Sequence, residues 1–281
     1  MENTPLIAAI NDISGYGRCG LTVAIPIISA MGLQVCPLPT AVLSAHTGYD
    51  NYQIVDFTPH IANFAANWKE LNLKFKAIYT GFLGSDKQLE IVSKFIDDFA
   101  SDDTIVLVDT IMADNGCVYH CFDEKMVLAI KKLSAKATVI TPNLTEACIL
   151  AQVDYDNLLT LSKDEFMKSV EQIGEKLQKN GPKQVVITGV CPDNEHMINA
   201  IFDGEIPMNL VGFIKTNAHF SGTGDTFASL LCGYLANGKS LFEAVLKATQ
   251  FISKVTQYTV NQKNNYCNGI SFEPFLHELF E

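Results

Sequence analysis

The sequence predicts a three-layer αβα fold on a mostly parallel central sheet with an antiparallel edge. Two observations carry this. Short apolar or β-branched runs alternate with helix-length amphipathic stretches along the chain, the pattern of strands buried on both faces under helices. Late in the chain, two such runs meet across Asp203-Gly204, a hairpin turn signal. The expected parallel strands cover residues 6–10, 77–79, 105–108, 137–140 and 185–187, and the hairpin pairs 196–202 with 205–210. Ser162 with Glu165 marks the capped start of a helix that should stop at Gly181-Pro182, and Ser240 with Glu243 marks one running toward Val260.

Composition narrows the function classes. The 281 residues are 48% hydrophobic and 18% charged, below the usual charged share of about 25%, so most of the chain can enter a packed core. No repeat, low-complexity tract or linker is evident, so residues 1–281 are expected to form a single domain. A formal charge of −11 argues against nucleic-acid or anionic-membrane partners, which demand many phosphate-neutralising cations. Arg18 is the only arginine. No basic residue precedes it and no apolar stretch approaches bilayer length, so a cytoplasmic location is expected. The eight cysteines are scattered through apolar segments, as suits reduced thiols, and Cys117, His120 and Cys121 lack a second ligand pair at zinc spacing.

Polar residues follow the expected strands: Asn11 and Asp12, Thr80 and Gly81, Asp109, Thr141 and Asn143, then Thr188 and Gly189. Ligands of open α/β sheets bind beyond the carboxyl ends of the strands, so these residues are expected to converge. Gly15-Tyr-Gly17-Arg-Cys-Gly20 matches a dinucleotide fingerprint in form. It is rejected as one because it stands off from the first strand and no acidic residue ends the next strand, near residues 35–38. Its glycines are expected instead to let the backbone pass close to a bound small molecule.

The strongest local signal is Ser221-Gly222-Thr223-Gly224-Asp225-Thr226, followed by apolar residues at helical spacing. Two glycines ahead of a helix allow backbone N–H groups to converge where the helix dipole is positive, which makes an anion hole. A carboxylate at its lip suits a group that faces a hydroxyl rather than the phosphate. Asn143-Leu-Thr-Glu146 reads either as a helix cap or, with Asp109 and Asp114, as oxygen ligands for hydrated Mg²⁺.

Together these segments resemble the pyridoxal kinase branch of the ribokinase-like kinases. The resemblance rests on Tyr16-Gly17 through Gly20, Ser44-Ala-His46-Thr47-Gly-Tyr49, Thr80-Gly81-Phe82-Leu83-Gly84-Ser85, Asp109-Thr-Ile-Met112-Ala-Asp114, Thr141-Pro142-Asn143 with Glu146, and Gly222-Thr223-Gly224-Asp225. It implies ATP-dependent phosphorylation of the 5′-hydroxymethyl group of a vitamin B6 vitamer. Asp225 would be the catalytic carboxylate, with Gly222, Thr223 and Gly224 in the anion hole. His46, Thr47, Tyr49 and Phe82 would line the vitamer pocket, and Asp12 would face the pyridine nitrogen where many relatives carry serine. Asp109, Thr141, Asn143, Glu146, Thr188 and Gly189 would bind ATP, with Asp109 and Glu146 toward the metal and residues 211–217 beside the adenine. ATP and Mg²⁺ are thus expected, with a monovalent cation as a further candidate, and so is a homodimer. The cationic work is assigned to Mg²⁺, the helix N-terminus and lysines such as Lys215, with Arg18 left as either a ligand contact or a structural residue.

Two other readings share the Gly-Thr-Gly-Asp turn or the ligands: a hydroxymethylpyrimidine or sugar kinase, and a vitamer- or nucleotide-binding regulator without turnover. At a helix N-terminus Asp225 should be a weak base, because the dipole favours its ionised form.

Overall fold

The computed structural model describes residues 4–120, 122–193, 195–204, 208–214, 220–262 and 266–280. Its fold is three-layer αβα, with a mixed, largely parallel sheet and antiparallel edge strands. The chain divides into two compact units, residues 1–106 with 216–281, and residues 107–215.

The first unit begins with β1 (Leu6–Ser14), α1 (Leu21–Ala30), β2 (Gln34–Leu43), β3 (Ile54–Asp56), α2 (Thr58–Glu70), β4 (Phe75–Thr80) and α3 (Asp86–Phe99). β1 lies between β2 and β4, parallel to both, and β3 runs antiparallel on β2. Ile7, Ala8, Ala9 and Ile10 are fully buried, as an apolar run covered on both faces must be. α3 is amphipathic: Leu89, Val92, Phe95 and Ile96 recur at helical spacing and are all buried. Each such side chain contributes about 1.5–3 kcal/mol by leaving water.

β5 (Ile105–Val108) runs from the last residues of the first segment into the second unit, which holds β6 (Ala113–Asp114), β7 (Cys117–Val118), α4 (Glu124–Ser134), β8 (Val139–Ile140), α5 (Leu144–Ala151), α6 (Tyr155–Leu159), α7 (Lys163–Lys179), β9 (Gln184–Val190), β10 (His196–Phe202) and β11 (Asn209–Ile214). β5, β8 and β9 are parallel neighbours, and β10 and β11 extend them antiparallel. The chain then returns to the first unit as α8 (Thr223–Ala236) and α9 (Leu241–Asn261), with α8 packed between α1 and α9. Capping boxes start α7 at Ser162 and α9 at Ser240.

Four details differ from the sequence reading. β1 continues through Asn11 and Asp12 to Ser14, so the first glycine motif abuts a strand after all. The absence of any acidic residue in β2 still separates it from a dinucleotide fold. The second hairpin strand begins at Asn209, and residues 205–207 lie outside the described residues. β3, and the small ribbon of β6 and β7 turned by Asn115 and Gly116 at positive φ, had not been anticipated. Among the described residues, no helix is long and apolar enough to cross a membrane.

Candidate active site

In the first unit, the Gly-Thr-Gly-Asp turn forms the start of α8. Gly222 caps the helix at φ 70°, and a Cβ there would lie 1.8 Å from the Arg18 carbonyl, so only glycine fits. Thr226 N–H makes the first intrahelical bond, to Gly222 O at 3.0 Å, which leaves the N–H groups of Thr223, Gly224 and Asp225 ahead of it without a helical acceptor. A Cβ on Gly224 would meet nothing within 4 Å among the described residues, so open space adjoins these donors there.

Asp225 is half-buried in the first turn. Asn11 Nδ2 donates to its Oδ1 at 2.9 Å. Burial, then the charge of Asp12, push its pKa up to about 6, while bonds from Gly20 N–H, Asn11 and Tyr79 pull it down. The weak base expected from the helix dipole is therefore corrected: desolvation and a neighbouring carboxylate outweigh a dipole effect of about 0.3–1 kcal/mol.

Asp12 sits where the register of β1 on β2 shifts, between Asn11 and Ile13. It is 8% exposed and accepts a 2.7 Å bond from Ser14 Oγ. Burial raises its pKa as well. Gly20, at φ 59°, passes so close that a Cβ would lie 2.4 Å from Asp12 O. Gly17 likewise would put a Cβ 2.2 Å from His46 Cδ2. These glycines make room for the protein's own Asp12 and His46.

His46 is buried, and both ring nitrogens are engaged: Nδ1 accepts from Gly48 N–H at 3.1 Å, and Nε2 donates to Cys267 O at 2.7 Å. Its ring lies 4.7 Å from that of Tyr49, whose hydroxyl bonds Asn268. His46 therefore ties the 44–49 segment to the C-terminal segment, with no ring nitrogen left to read a ligand. Thr47 is exposed and Phe82 half-buried, with Phe82 N–H held by Asn11 Oδ1 at 2.8 Å. Arg18 is also structural, bonding Glu273 at 2.6 Å and Asn268 O at 3.2 Å.

The second unit carries an oxygen-rich cluster at its own strand ends. Asn143 and Glu146 form the capping box of α5. Glu146 is 4% exposed and accepts from Met112 N–H, Ala113 N–H, Asn143 N–H and Thr110 Oγ1 at 3.0–3.4 Å. Burial and the nearby charge of Asp109 push its pKa up to about 8. Asp109 accepts from Thr141 Oγ1 at 2.9 Å. Thr188 N–H donates to Pro142 O at 2.8 Å, and Gly189 turns at φ 67° with its N–H toward Asn199 Oδ1. Four donors occupy Glu146, so its place as a direct metal ligand does not fit this geometry; it shapes the loop after β5. Residues 215–217, part of the segment expected beside an adenine and including Lys215, lie outside the described residues.

A family model described as phosphomethylpyrimidine kinase matches residues 17–268. The chain belongs to the phosphomethylpyrimidine kinase family. A hydroxymethylpyrimidine/phosphomethylpyrimidine kinase of Bacillus subtilis is 30% identical over 67% of this chain and 66% of its own length. The chain spans 61% of a Staphylococcus aureus protein assigned as a pyridoxine kinase, at 32% identity. Among solved structures, a provisionally assigned phosphomethylpyrimidine kinase of Bacteroides thetaiotaomicron, crystallised with pyridoxal, is 40% identical with TM-score 0.91, covering 99% of this chain and 96% of that one. A pyridoxal kinase of Lactobacillus plantarum is 27% identical with TM-score 0.88, covering 99% and 97%. The fold is ribokinase-like, and the chain is related to kinases of both names.

For a member of this family, two residues of the Asp225 surroundings had no motif to announce them. Asn11 was expected only as one of several strand-end polar groups, and Tyr79 only as an apolar strand residue. Their partner lies more than a hundred residues away, and no local spacing signals that.

Proposed function

We propose that the protein transfers the γ-phosphoryl group of ATP to the primary hydroxyl of a hydroxymethyl-substituted aromatic N-heterocycle. The observation that carries this is Asp225: a carboxylate raised to about 6, held by Asn11 at the N-terminus of α8, beside open space at Gly224. A base of that strength is mostly ionised at neutral pH and can still accept a proton as a hydroxyl attacks.

Phosphoryl transfer passes through a loose transition state with its charge on the phosphoryl oxygens, so catalysis is positioning and electrostatic stabilisation. The N–H groups of Thr223, Gly224 and Asp225 face that charge, each well-placed donor contributing about 3–4 kcal/mol by analogy with oxyanion holes. Asp225 orients the acceptor hydroxyl and takes its proton as the bond to phosphorus forms. In the second unit, Thr141, Asn143, Thr188 and Gly189 are the nucleotide-binding candidates. Asp109, bonded by the Thr141 hydroxyl, offers the hard oxygen that Mg²⁺ prefers, through waters that the ion retains. When bound, Mg²⁺ offsets the charge of the transferred phosphate.

The acceptor ring is placed first as hydroxymethylpyrimidine. The family description and the Bacillus relative favour it, and the chemical case for a B6 vitamer weakens because His46 has both nitrogens engaged within the protein. Pyridoxal is the second reading, favoured by the 40% identical protein crystallised with it. ADP release coupled to hydroxymethylpyrimidine, pyridoxal, pyridoxamine and ribose tests the proposal. Turnover with hydroxymethylpyrimidine above pyridoxal is expected; turnover with ribose alone, or none, refutes it.

A further inference from the structure

We infer that Asn11 is the positioning residue for Asp225: its amide is locked in one orientation, which keeps a donor on the carboxylate and fixes where that carboxylate points. The inference rests on Asp225 as proton acceptor, but its geometry stands apart from the identity of the substrate.

The lock comes from the other end of the amide. Asn11 Oδ1 accepts from two main-chain donors, Asp12 N–H at 2.9 Å and Phe82 N–H at 2.8 Å. A flipped amide would turn its NH₂ onto both donors and its oxygen onto a carboxylate, losing three bonds at once. Orientation is therefore dictated by the backbone, and Nδ2 must face Asp225.

The segment that carries the Phe82 donor is itself held. Phe82 O accepts from Thr40 Oγ1 at 2.9 Å, and Gly84 N–H donates to Gln88 Oε1 at 2.7 Å, with the buried Gln88 Nε2 bonded to Thr40 O and Thr58 Oγ1. Gly81 completes the arrangement: a Cβ there would lie 2.1 Å from Asn11 Nδ2. The 80–84 segment is thus shaped around this amide.

The titratable groups that act on Asp225 are Asp12 on β1, Tyr79 on β4 and Cys19 in the turn before α1. Asp12 opposes the ionised form, while Asn11 and Tyr79 favour it. Asn11 is uncharged and its bond persists whether or not Asp225 carries the proton, so it can direct the carboxylate before and after transfer.

Asn11→Ala tests this, because it removes the donor facing Asp225 without adding a charge; Asn11→Asp keeps an oxygen for the Asp12 and Phe82 donors but sets another carboxylate beside Asp225, so it reports donor loss and repulsion together. The Asp225 carboxyl carbon is titrated by NMR in the full ligand-free chain. The midpoint should rise by about one unit in Asn11→Ala from loss of the donor alone, and further in Asn11→Asp, where repulsion adds to it; Asn11→Ser serves if the alanine variant fails to fold. In turnover, the loss of kcat/KM should be about tenfold greater on the acid side of pH 7 than on the alkaline side. An unchanged midpoint in the uncharged variant, or a loss of kcat/KM of the same size at every pH, would overturn the inference. If the parent protein releases no ADP with any acceptor, the functional reading fails while the titration still decides the role of Asn11.

Discussion

Asp12 and Asp225 lie close enough that the charge on Asp12 raises the pKa of Asp225, whose ionised form is already penalised by burial. The value of about 6 sets a pH dependence. Below it Asp225 is protonated and cannot accept a hydroxyl proton, so kcat/KM should fall as pH drops through about 6. Asp12→Asn removes the repelling charge while leaving an oxygen for Ser14, so the acid limb should move to lower pH. An acid limb at the same pH in the variant would show that Asp12 does not act on Asp225. Asp12→Ser bears on a separate role, facing a ring nitrogen: unchanged selectivity among pyridoxal, pyridoxine and pyridoxamine would dismiss it.

The same linkage makes a stability prediction. Asp225 titrates near 3.8 when unfolded and near 6 when folded. Between those values the unfolded chain ionises it and the folded chain does not, so its contribution to stability declines as pH rises from about 4 to 6 and then levels. Asp225→Asn removes that decline. Thermal unfolding of both proteins across this range should show it, and the variant should lose about 10²–10⁴-fold in turnover while binding ATP nearly as before.

Gly222 and Gly224 should respond in opposite ways to alanine. At Gly222 a Cβ needs a left-handed backbone and meets Arg18 O at 1.8 Å, so Gly222→Ala should cost about 2–4 kcal/mol of stability. At Gly224 the added carbon meets nothing among the described residues, and alanine in a helix is favoured by up to about 1 kcal/mol. Gly224→Ala should therefore melt at or above the parent temperature yet lose turnover about tenfold or more, if that space receives the phosphoryl group. Full activity in a stably folded Gly224→Ala would remove the open space from the mechanism.

What was legible in the sequence was what is local or periodic. Ser162 with Glu165, Ser240 with Glu243 and Asn143 with Glu146 lie three residues apart, and all three boxes form. The buried parallel strands announce themselves because both faces demand apolar residues. The apolar run ends at Ile10, where Asn11 and Asp12 break it, although the strand carries on through them to Ser14. β3 is short and exposed, so no buried face patterns it; the β6–β7 ribbon did carry a usable signal, Asn115-Gly116, a favoured tight-turn pair. The site's residue types were visible, but their partners were not. His46 looked like a ligand-facing imidazole until Cys267 O and Gly48 N–H took both nitrogens, contacts made by distant or main-chain atoms that no side-chain motif encodes.

Asp109 and Glu146 illustrate the same distinction and can be separated by experiment. Glu146 has four donors on its two oxygens, so Glu146→Gln would set an NH₂ against N–H groups and leave donors unsatisfied. That should cost about 1–3 kcal/mol, lowering the melting temperature by several degrees to the same extent with or without magnesium. Asp109 has one oxygen bonded to Thr141, and its carboxylate charge is what a hydrated dication would use. Magnesium added to the ADP complex should raise the parent's melting temperature, in line with a ligand at about 100 times its Kd adding about 2.7 kcal/mol. Asp109→Asn should abolish that increment while keeping the rise caused by ADP alone. If instead Glu146→Gln loses the magnesium increment and Asp109→Asn keeps it, the roles of the two carboxylates are reversed.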